Sequence, residues 1–558
     1  MNNKKRFEII NFLLAVYCLL LLNVISWHYF FRVDLTEEKR YTITQASKNT
    51  LQSVDDVIFI EIYLEGDLPA GFKRLQRSIK ETLDEFRIYS GGNIQYKFTD
   101  PLAESDEKMK SRFMYSLAQK GVQPTNLFVN ENGKQTEKII FPGAILNYKG
   151  REVPLLFLKG ASGASPSEAL NQSVEGIEFE LISAIKKLTS IRKKRIAILQ
   201  GHDEADGIAT DEVYQTLKEG YLVDKLNLSQ VNDIKSYFDI LLIIAPKKPF
   251  TDAEKLKIDQ FVMKGGKILA FIEKADVNQE KLGTDESLAG IYDLNIDDLL
   301  FRYGIRVNND LILDLQSGAI PMVTGMLGDK PQTRLMPWVF HPMITQFGSH
   351  TTVKNMGTVY TKYISSIDTV KALGINKIPL AYSSNYNKVA TLPANISLEK
   401  ARKQPDPAEY NSKPNITGVL LEGNFRSLFA NRLSKEKADS IGFIENGTKS
   451  QIIVFSDADM VYNESTPDKK QLFPMGFDKY MGKKFANKEL FSNCITFLAD
   501  ENGIMYARLK EVKLRPLDKI KVKEERTKWQ LINVAVPVFL IILIGFVKYN
   551  IRKSRYAN

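Results

Sequence analysis

Two uncharged apolar runs, Ile9 to Phe31 and Trp529 to Val547, bracket a long middle section whose apolar residues recur at the short periods of soluble strands and helices. A helix crossing hydrocarbon needs about 20 apolar residues, so each run predicts a membrane span. Lys and Arg close to a span stay in the cytoplasm, whereas a long domain crosses whatever its charge. Lys4, Lys5 and Arg6 precede the first run, and Lys548, Arg552, Lys553 and Arg555 follow the second. The pattern therefore predicts a membrane protein with cytoplasmic tails at 1–8 and 548–558, spans at 9–31 and 529–547, and a main domain outside the cytoplasm. A cleaved signal peptide is the competing reading of the first run. Its apolar core would be about 7–15 residues, and this run continues through Trp27, Tyr29, Phe30 and Phe31. Asn23, Asn533 and Pro537 lie in or at the edge of the spans. Amides in lipid bond across helices, so these residues are candidate helix contacts, with a local backbone role as the alternative.

Residues 32–172 predict a small α/β unit. Thr44 caps a helix to Leu51, Val57–Leu64 and Ile94–Phe98 read as strands, Phe72–Tyr89 and Glu107–Gln119 as helices, and four short strands end at Phe157. Gly160–Gln172, rich in Ala, Ser and Gly, reads as a linker. Glu175–Leu188 follows as an amphipathic helix with Ile177, Leu181, Ile185 and Leu188 on one stripe, placed to bridge two domains. From Arg195 onward, apolar strands at Ile196–Gln200, Leu222–Leu226, Ile240–Ala245 and Ile268–Ile272 alternate with helices at Asp211–Glu219 and Asp252–Lys264. That alternation predicts a parallel sheet covered on both faces. Thr251 reads as an N-cap and Gly265-Gly266 as a left-handed helix end. The sheet domain begins at 173–316, is interrupted at 317–414 by an insertion whose Pro, Gly, Ser and Asn obscure its layout, and is completed at 415–508. Residues 509–528 form a charged connector to the second span.

The composition, 44% apolar and 25% charged, is that of a folding chain. The net charge of +10 invites a nucleic-acid reading, but the two tails hold more than half of it. The basicity is mainly a topology signal, and no nucleic-acid partner is expected. The two cysteines, Cys18 in a span and Cys494 in the domain, sit in different environments, so no disulfide is expected.

A phosphate loop needs Gly-x-x-x-x-Gly-Lys-Ser/Thr, and each Gly-Lys pair, at Gly133, Gly266 and Gly482, lacks the final hydroxyl. Energy must come from a partner. Gly201-His202-Asp203-Glu204 follows a strand, where ligands collect in doubly wound sheets, and a histidine beside carboxylates suits proton transfer or a polar ligand. The plainer alternative is a tight turn with solvated acids feeding a cap at Thr210. A hydrolase would need an activated Cys or Ser, but the loop after the central strand reads Ala245-Pro-Lys-Lys-Pro-Phe250 and Cys494 lies on an apolar helix, so no catalytic residue is assigned. The histidines His28, His202, His341 and His350 are scattered. Asp457 and Asp459 are candidate ligand or interaction residues, with strand-end carboxylates in a turn as the plainer alternative, but the pair lacks the further oxygen spacing of a calcium loop, so neither metal nor cofactor is expected. Phe425 and Arg426 are a candidate contact surface, with an edge strand entering a helix as the alternative.

Several of these segments stand in an order that resembles the gliding-motility-associated ABC-transporter accessory family GldG, within a wider group of extracytoplasmic transporter-auxiliary domains. The carrying residues are Asp34-Leu-Thr ahead of Tyr41-Thr-Ile-Thr, the strand from Val57 to Tyr63 leading to Leu68-Pro69, Asp100-Pro101 and Gly201 to Glu204. Further along are Leu421 to Phe429, Phe455 to Asp459 with Asn463, and Trp529 to Pro537. The resemblance implies a non-ATPase subunit acting with a membrane permease and a separate ATP-binding subunit, in a system linked to gliding and secretion. It also implies a central part similar in layout to class I amidotransferase-like domains. Docking or mechanical coupling is the role expected of such a subunit. A periplasmic solute- or glycan-binding role at the His202 loop is the alternative.

Overall fold

The computed structural model describes residues 3–28, 42–103, 106–131, 134–158, 166–190, 192–278, 282, 288–327, 330–402, 405–466, 471–509 and 519–556. The end of the first expected span, the Asp34 and Tyr41 motif residues, Gly160 to Ser165 and much of the connector lie outside them. The folded chain up to Lys510 and the segment from Glu511 onward are separate compact units.

In the first unit, helix α1 (Asn3–His28) carries the apolar run Ile9–Asn23. Helix α2 (Gln45–Gln52) follows, with the Thr44 side chain accepting from the Ser47 amide, as an N-cap should. Strand β1 (Ile58–Ile62), helix α3 (Ala70–Tyr89), strand β2 (Ile94–Phe98) and helix α4 (Glu107–Gln119) lead to two hairpins. These are β3 (Thr125–Glu131) with β4 (Lys134–Ile140), and β5 (Gly143–Tyr148) with β6 (Arg151–Leu156). The sheet runs β2-β1-β5-β6, with β1 and β2 parallel and the other pairs antiparallel.

Helix α5 (Pro166–Thr189) begins inside the stretch expected to be a linker. Proline at the start of a helix costs no hydrogen bond, so Pro166 opens the helix rather than extending the loop. Its residues Ile177, Leu181, Ile182, Ile185 and Leu188 belong to one apolar cluster that also contains Leu75 and Leu83 of α3 and strand residues of the next sheet. The helix therefore fuses the small unit to the large one through a shared core.

The large sheet is built from β7 (Arg195–Gln200), helix α6 (Asp211–Lys218), β8 (Leu222–Asn227), β9 (Ile240–Ile244), helix α7 (Asp252–Met263) and β10 (Lys267–Phe271). Later segments join it: β11 (Ile305–Val307), β12 (Ile367–Thr369), β13 (Ile375–Tyr382), β14 (Ile416–Arg426) and β15 (Asn446–Phe455). Strands β8-β7-β9-β10-β15 are mutually parallel, which in chain order is 2-1-3-4-5, a doubly wound arrangement. Beyond β15 the sheet turns antiparallel through β14, β13, β12 and β11, so it is mixed rather than purely parallel. Alternate residues feed two cores, as the period-2 geometry of strands requires. Ile196, Ile198, Leu242, Leu269 and Ile453 face the cluster shared with α5. Ala197, Leu199, Leu241, Ile268 and Ile452 face a second cluster with α7. Helix α7 starts at a capping box between Thr251 and Glu254 and ends at Gly265, whose φ of +79° is the left-handed stop expected there.

The insertion holds a long hairpin, Ser317–Leu327 against Lys330–Ile344, and its own core around Trp338, Phe340, Leu311 and Tyr363. Helix α8 (Asn487–Ala499) packs on the α5 side of the large sheet, and a 3-10 turn at Ile504–Leu509 ends the folded body.

In the second unit, helix α9 (Lys519–Tyr556) is continuous through Pro537, and its stretch Lys521–Ser554 is long and apolar enough to cross a membrane. Among the described residues it is the only helix that meets that test. It takes in residues expected to be connector.

Candidate functional site

The strand order reverses between β7 and β9, and in doubly wound sheets the crevice outside the carboxyl ends of those strands is where ligands bind. Here that crevice is closed by side chains. After β7 the chain turns at Gly201, whose φ is +124° and whose missing Cβ would stand 3.1 Å from the Asn227 amide. His202 follows, 4% exposed. Its backbone amide donates to Glu204 Oε2 at 2.7 Å, its Nδ1 lies 3.2 Å from Glu204 Oε1, and its Nε2 lies 3.3 Å from Glu254 Oε2 at the start of α7. The ring stacks on Phe250 with centroids 3.9 Å apart. The His202 carbonyl accepts from the amides of Lys247 and Lys248 at 2.8 and 3.0 Å, which ties the loop after β9 to the loop after β7.

Burial pulls the His202 pKa down, but the hydrogen bonds and charges of Glu204 and Glu254 outweigh it and hold the imidazole above its ordinary value. Burial pushes Glu254 up, and the bonds from Thr251 and His202 outweigh that, leaving it below the usual carboxylate value. Asp203, in the left-handed region at φ +63°, faces outward 3.9 Å from Lys248. The expected turn of solvated acids is corrected at two points. Glu204 is buried against the histidine, and Thr210 makes no side-chain cap. Instead, Asn463 reaches across from a distant loop and its Oδ1 accepts from the Glu212 amide in the first turn of α6 at 2.9 Å.

A second cluster lies at the carboxyl ends of β10 and β15. Asp457, 1% exposed, accepts from the amides of Asp459 at 2.7 Å and Lys362 at 2.9 Å. The Lys362 ammonium pairs with Glu464 and lies 3.9 Å from Asp459 Oδ1, and Lys479 reaches Glu464 at 3.4 Å. Burial and the Asp459 charge push Glu273, two residues past β10, up to about 8. Burial and the charges of Asp459 and Glu273 lift Asp457 well above the carboxylate range. Asp459 is raised by burial against the pull of Lys362. Lys362 is itself held above its ordinary value because Asp459 and Glu464 outweigh its burial. The charge of Lys247 acts on both Glu273 and Asp459, so the loop pinned by His202 also leans on this cluster.

Sequence reasoning named His202, Asp203, Glu204, Asp457 and Asp459 but missed Glu254, Lys247, Glu273, Lys362 and Glu464. Glu254 and Glu273 had a legible signal: one is the third residue of a capping box and the other directly follows an apolar strand. Lys362 had none, since it sits in the insertion. The remaining candidates fall elsewhere. Phe425 is 1% exposed and packs edge-on against Tyr303, so its ring is part of the core and not a contact surface. Arg426 is exposed and pairs with Glu445 at 2.7 Å. Cys494 is buried, and burial pushes its thiol up, away from the reactive thiolate. The Asn23 amide donates to the Leu19 carbonyl one turn back at 3.0 Å, a backbone role, while Asn533 and Pro537 lie exposed on α9. Among the described residues no group of His, Cys, Asp and Glu is arranged to hold a metal ion.

The chain's entry to and exit from the folded body meet on α5. Glu178 of α5, 3% exposed, accepts from the Thr44 amide at 2.6 Å and the Ser47 hydroxyl at 2.8 Å, so a carboxylate sits at the positive end of α2. Arg508 lies over the ring of Phe179, and Lys186 pairs with Asp500 at 3.3 Å. Ile43 and Leu51 share one cluster with Ile504, Met505 and Ala507.

Comparison with known proteins gives five matches. A domain of unknown function, DUF7088, matches residues 37–147. An uncharacterized protein of Borreliella burgdorferi is 24% identical over 574 aligned positions that cover all of both chains. Among solved structures, the mmIFT52 N-terminal domain is 14% identical with a TM-score of 0.31 over 55% of this chain and 97% of that one. A thua-like protein from Parabacteroides merdae is 10% identical with a TM-score of 0.26 over 59% and 94%. The fifth match covers the sheet, both carboxyl-edge clusters and the insertion, residues 193–494, and by it the chain belongs to the family described as ABC-type uncharacterized transport system.

Proposed function

We propose that the protein is a non-catalytic, membrane-anchored accessory subunit of an ABC-transporter-like complex. In this reading its large α/β body, held outside the cytoplasm of a bacterial inner membrane by spans at both ends, docks on or mechanically couples to a permease served by a separate ATP-binding subunit. Family membership supports the transport setting. The observation that carries the coupling role is the convergence of α2 and the Ile504–Leu509 turn on α5. Residues 42–52 and 504–509, the described ends of the body's sequence, pack on one helix. Displacement there reaches the large sheet through the shared core. The amidotransferase-like unit of this proposal comprises residues 173–316 and 415–508, on the support that β7 to β10 and β15 share one sheet, to which β12 and β13 of the expected insertion also belong. The motif order extends the proposal to systems linked to gliding and secretion.

Photo-crosslinking from α9 in native membranes should recover a permease and an ATP-binding protein, and protease added to intact spheroplasts should digest the body. Recovery of neither partner, or a body that survives the protease, would overturn the respective half of the proposal. The solute-binding alternative is disfavoured by geometry, because both ring nitrogens of His202 already face carboxylates.

A further inference from the structure

The neutral imidazole ring has one N–H and one lone pair, while the protonated ring has two N–H groups. With carboxylate oxygens 3.2 Å from Nδ1 and 3.3 Å from Nε2, a neutral His202 has to aim a lone pair at one of them, whichever tautomer it adopts. Glu204 is buried and His202 is 4% exposed, so little water is available to relieve that repulsion. The imidazolium hydrogen-bonds Glu204 through Nδ1 and sets its charge 3.3 Å from Glu254 through Nε2.

We propose that His202 is a doubly protonated pin that closes the crevice between the β7 and β9 loops, and that losing its proton as pH rises unfastens the two loops. This holds whether or not the coupling role does. The groups around the ring are consistent with it from each side. Glu204 comes from its own loop, and Glu254 comes from α7, itself fixed by Thr251. Phe250, Lys247 and Lys248 come from the loop after β9, with Lys248 turned outward toward Asp203. Release of the pin frees the carbonyl that holds the Lys247 and Lys248 amides, and so shifts the Lys247 charge that acts on Glu273 and Asp459.

The sign follows from linkage. A folded-state pKa above the unfolded one gives stability that is fully present below about pH 6.5, the ordinary histidine value, and is lost as pH rises through the folded value. His341 and His350, depressed by burial, are internal controls of opposite sign.

The test uses the full chain in lipid nanodiscs. Deuterium exchange at imidazole C2, read by mass spectrometry, reports each histidine separately. Backbone exchange, corrected for its intrinsic pH dependence, reports residues 201–204 and 246–250. The His202 transition should lie above about 6.5, with His341 and His350 below it. Backbone protection of both loops should fall across the His202 transition. Glu254→Gln preserves the capping box, since glutamine serves at that position, and should lower the His202 transition by about 1 pH unit or more. A His202 transition at or below the ordinary value, loop protection that stays flat across it, or no response to Glu254→Gln would each overturn the proposal. The first two need no variant and decide the matter if Glu254→Gln does not fold.

Discussion

The two ends of one carboxyl edge solve opposite problems. At the β7–β9 end a single cation stands between two carboxylates. At the β10–β15 end Glu273, Asp457 and Asp459 crowd around one buried ammonium, Lys362. One end keeps a proton on nitrogen because acids surround it, and the other keeps protons on oxygen because acids surround each other. The comparison teaches that charge balance along this edge is held by protonation as well as by ion pairing. Both ends carry raised pKa values, so both lose stability as pH rises, the reverse of the salt-bridged Glu212 and Glu501, whose depressed carboxyls favour the fold above the usual carboxylate range.

The largest expected effect breaks the comparison at the acid end. Lys362→Leu leaves the part-buried Asp459 without its cation and Glu464 with Lys479 alone, and loss of one partner from a fully buried pair costs about 3–5 kcal/mol, the upper bound here. Urea unfolding of the full chain in nanodiscs should show that loss, and the double variant Lys362→Leu with Glu464→Gln should regain part of it. A loss below about 1 kcal/mol, the range of an exposed pair, would show that the cluster is solvated rather than buried.

A middling effect sharpens the sign. Glu273 is raised to about 8, so the wild-type chain pays for its ionisation between the ordinary glutamate value and about 8, whereas Glu273→Gln does not. The variant should match wild type at pH 5 and exceed it at pH 8.5 by on the order of 1 kcal/mol, or about 2–4 °C in Tm. Thermal scans at the two pH values check this. A variant destabilised at both would give Glu273 an ionised structural role.

How much of this edge was legible depends on how far apart the cooperating residues lie. The strands from Arg195 to Phe271 announce themselves because each is a short apolar run between turn residues, and the Thr251 cap and Gly265 stop are local chemistry read within four residues. The bounds of β2 and α4 are readable for the same reason. The expected cap at Thr210 fails because Asn463, far along the chain, supplies the acceptor. The linker before α5 fails at Pro166, where one turn-forming residue starts a helix. Within the clusters, His202 and Glu204 are neighbours and visible, but Glu254 meets them only after β9 and α7 have folded back. Lys362 reaches Asp459 and Glu464 from an insertion whose core, built on Trp338 and Phe340, shows no period. Sequence therefore locates the edge and one half of each cluster, and tertiary closure supplies the other half.

The smallest effect tests whether the two ends are separable. The Thr251 hydroxyl donates to Glu254 Oε2 at 2.7 Å and accepts from the Glu254 amide at 3.3 Å, while the Thr251 amide donates independently to the same carboxylate at 2.9 Å. Thr251→Ala removes the first two bonds and keeps the third, so the cost should be about 1 kcal/mol, typical of an N-cap lost to alanine. With one competing donor gone, Glu254 becomes a stronger acceptor for His202, and the His202 transition should move up rather than down. Nothing in the change touches Glu273 directly: the ends are linked by the Lys247 loop carried by the His202 carbonyl and by Asn463, which bonds the Ala209 carbonyl and the Glu212 amide, and neither link includes Thr251. A tighter pin should hold that loop at least as firmly. The alkaline loss assigned to Glu273 should therefore keep its midpoint in Thr251→Ala. If it moves, the two clusters titrate as one unit and the edge is a single proton-holding device.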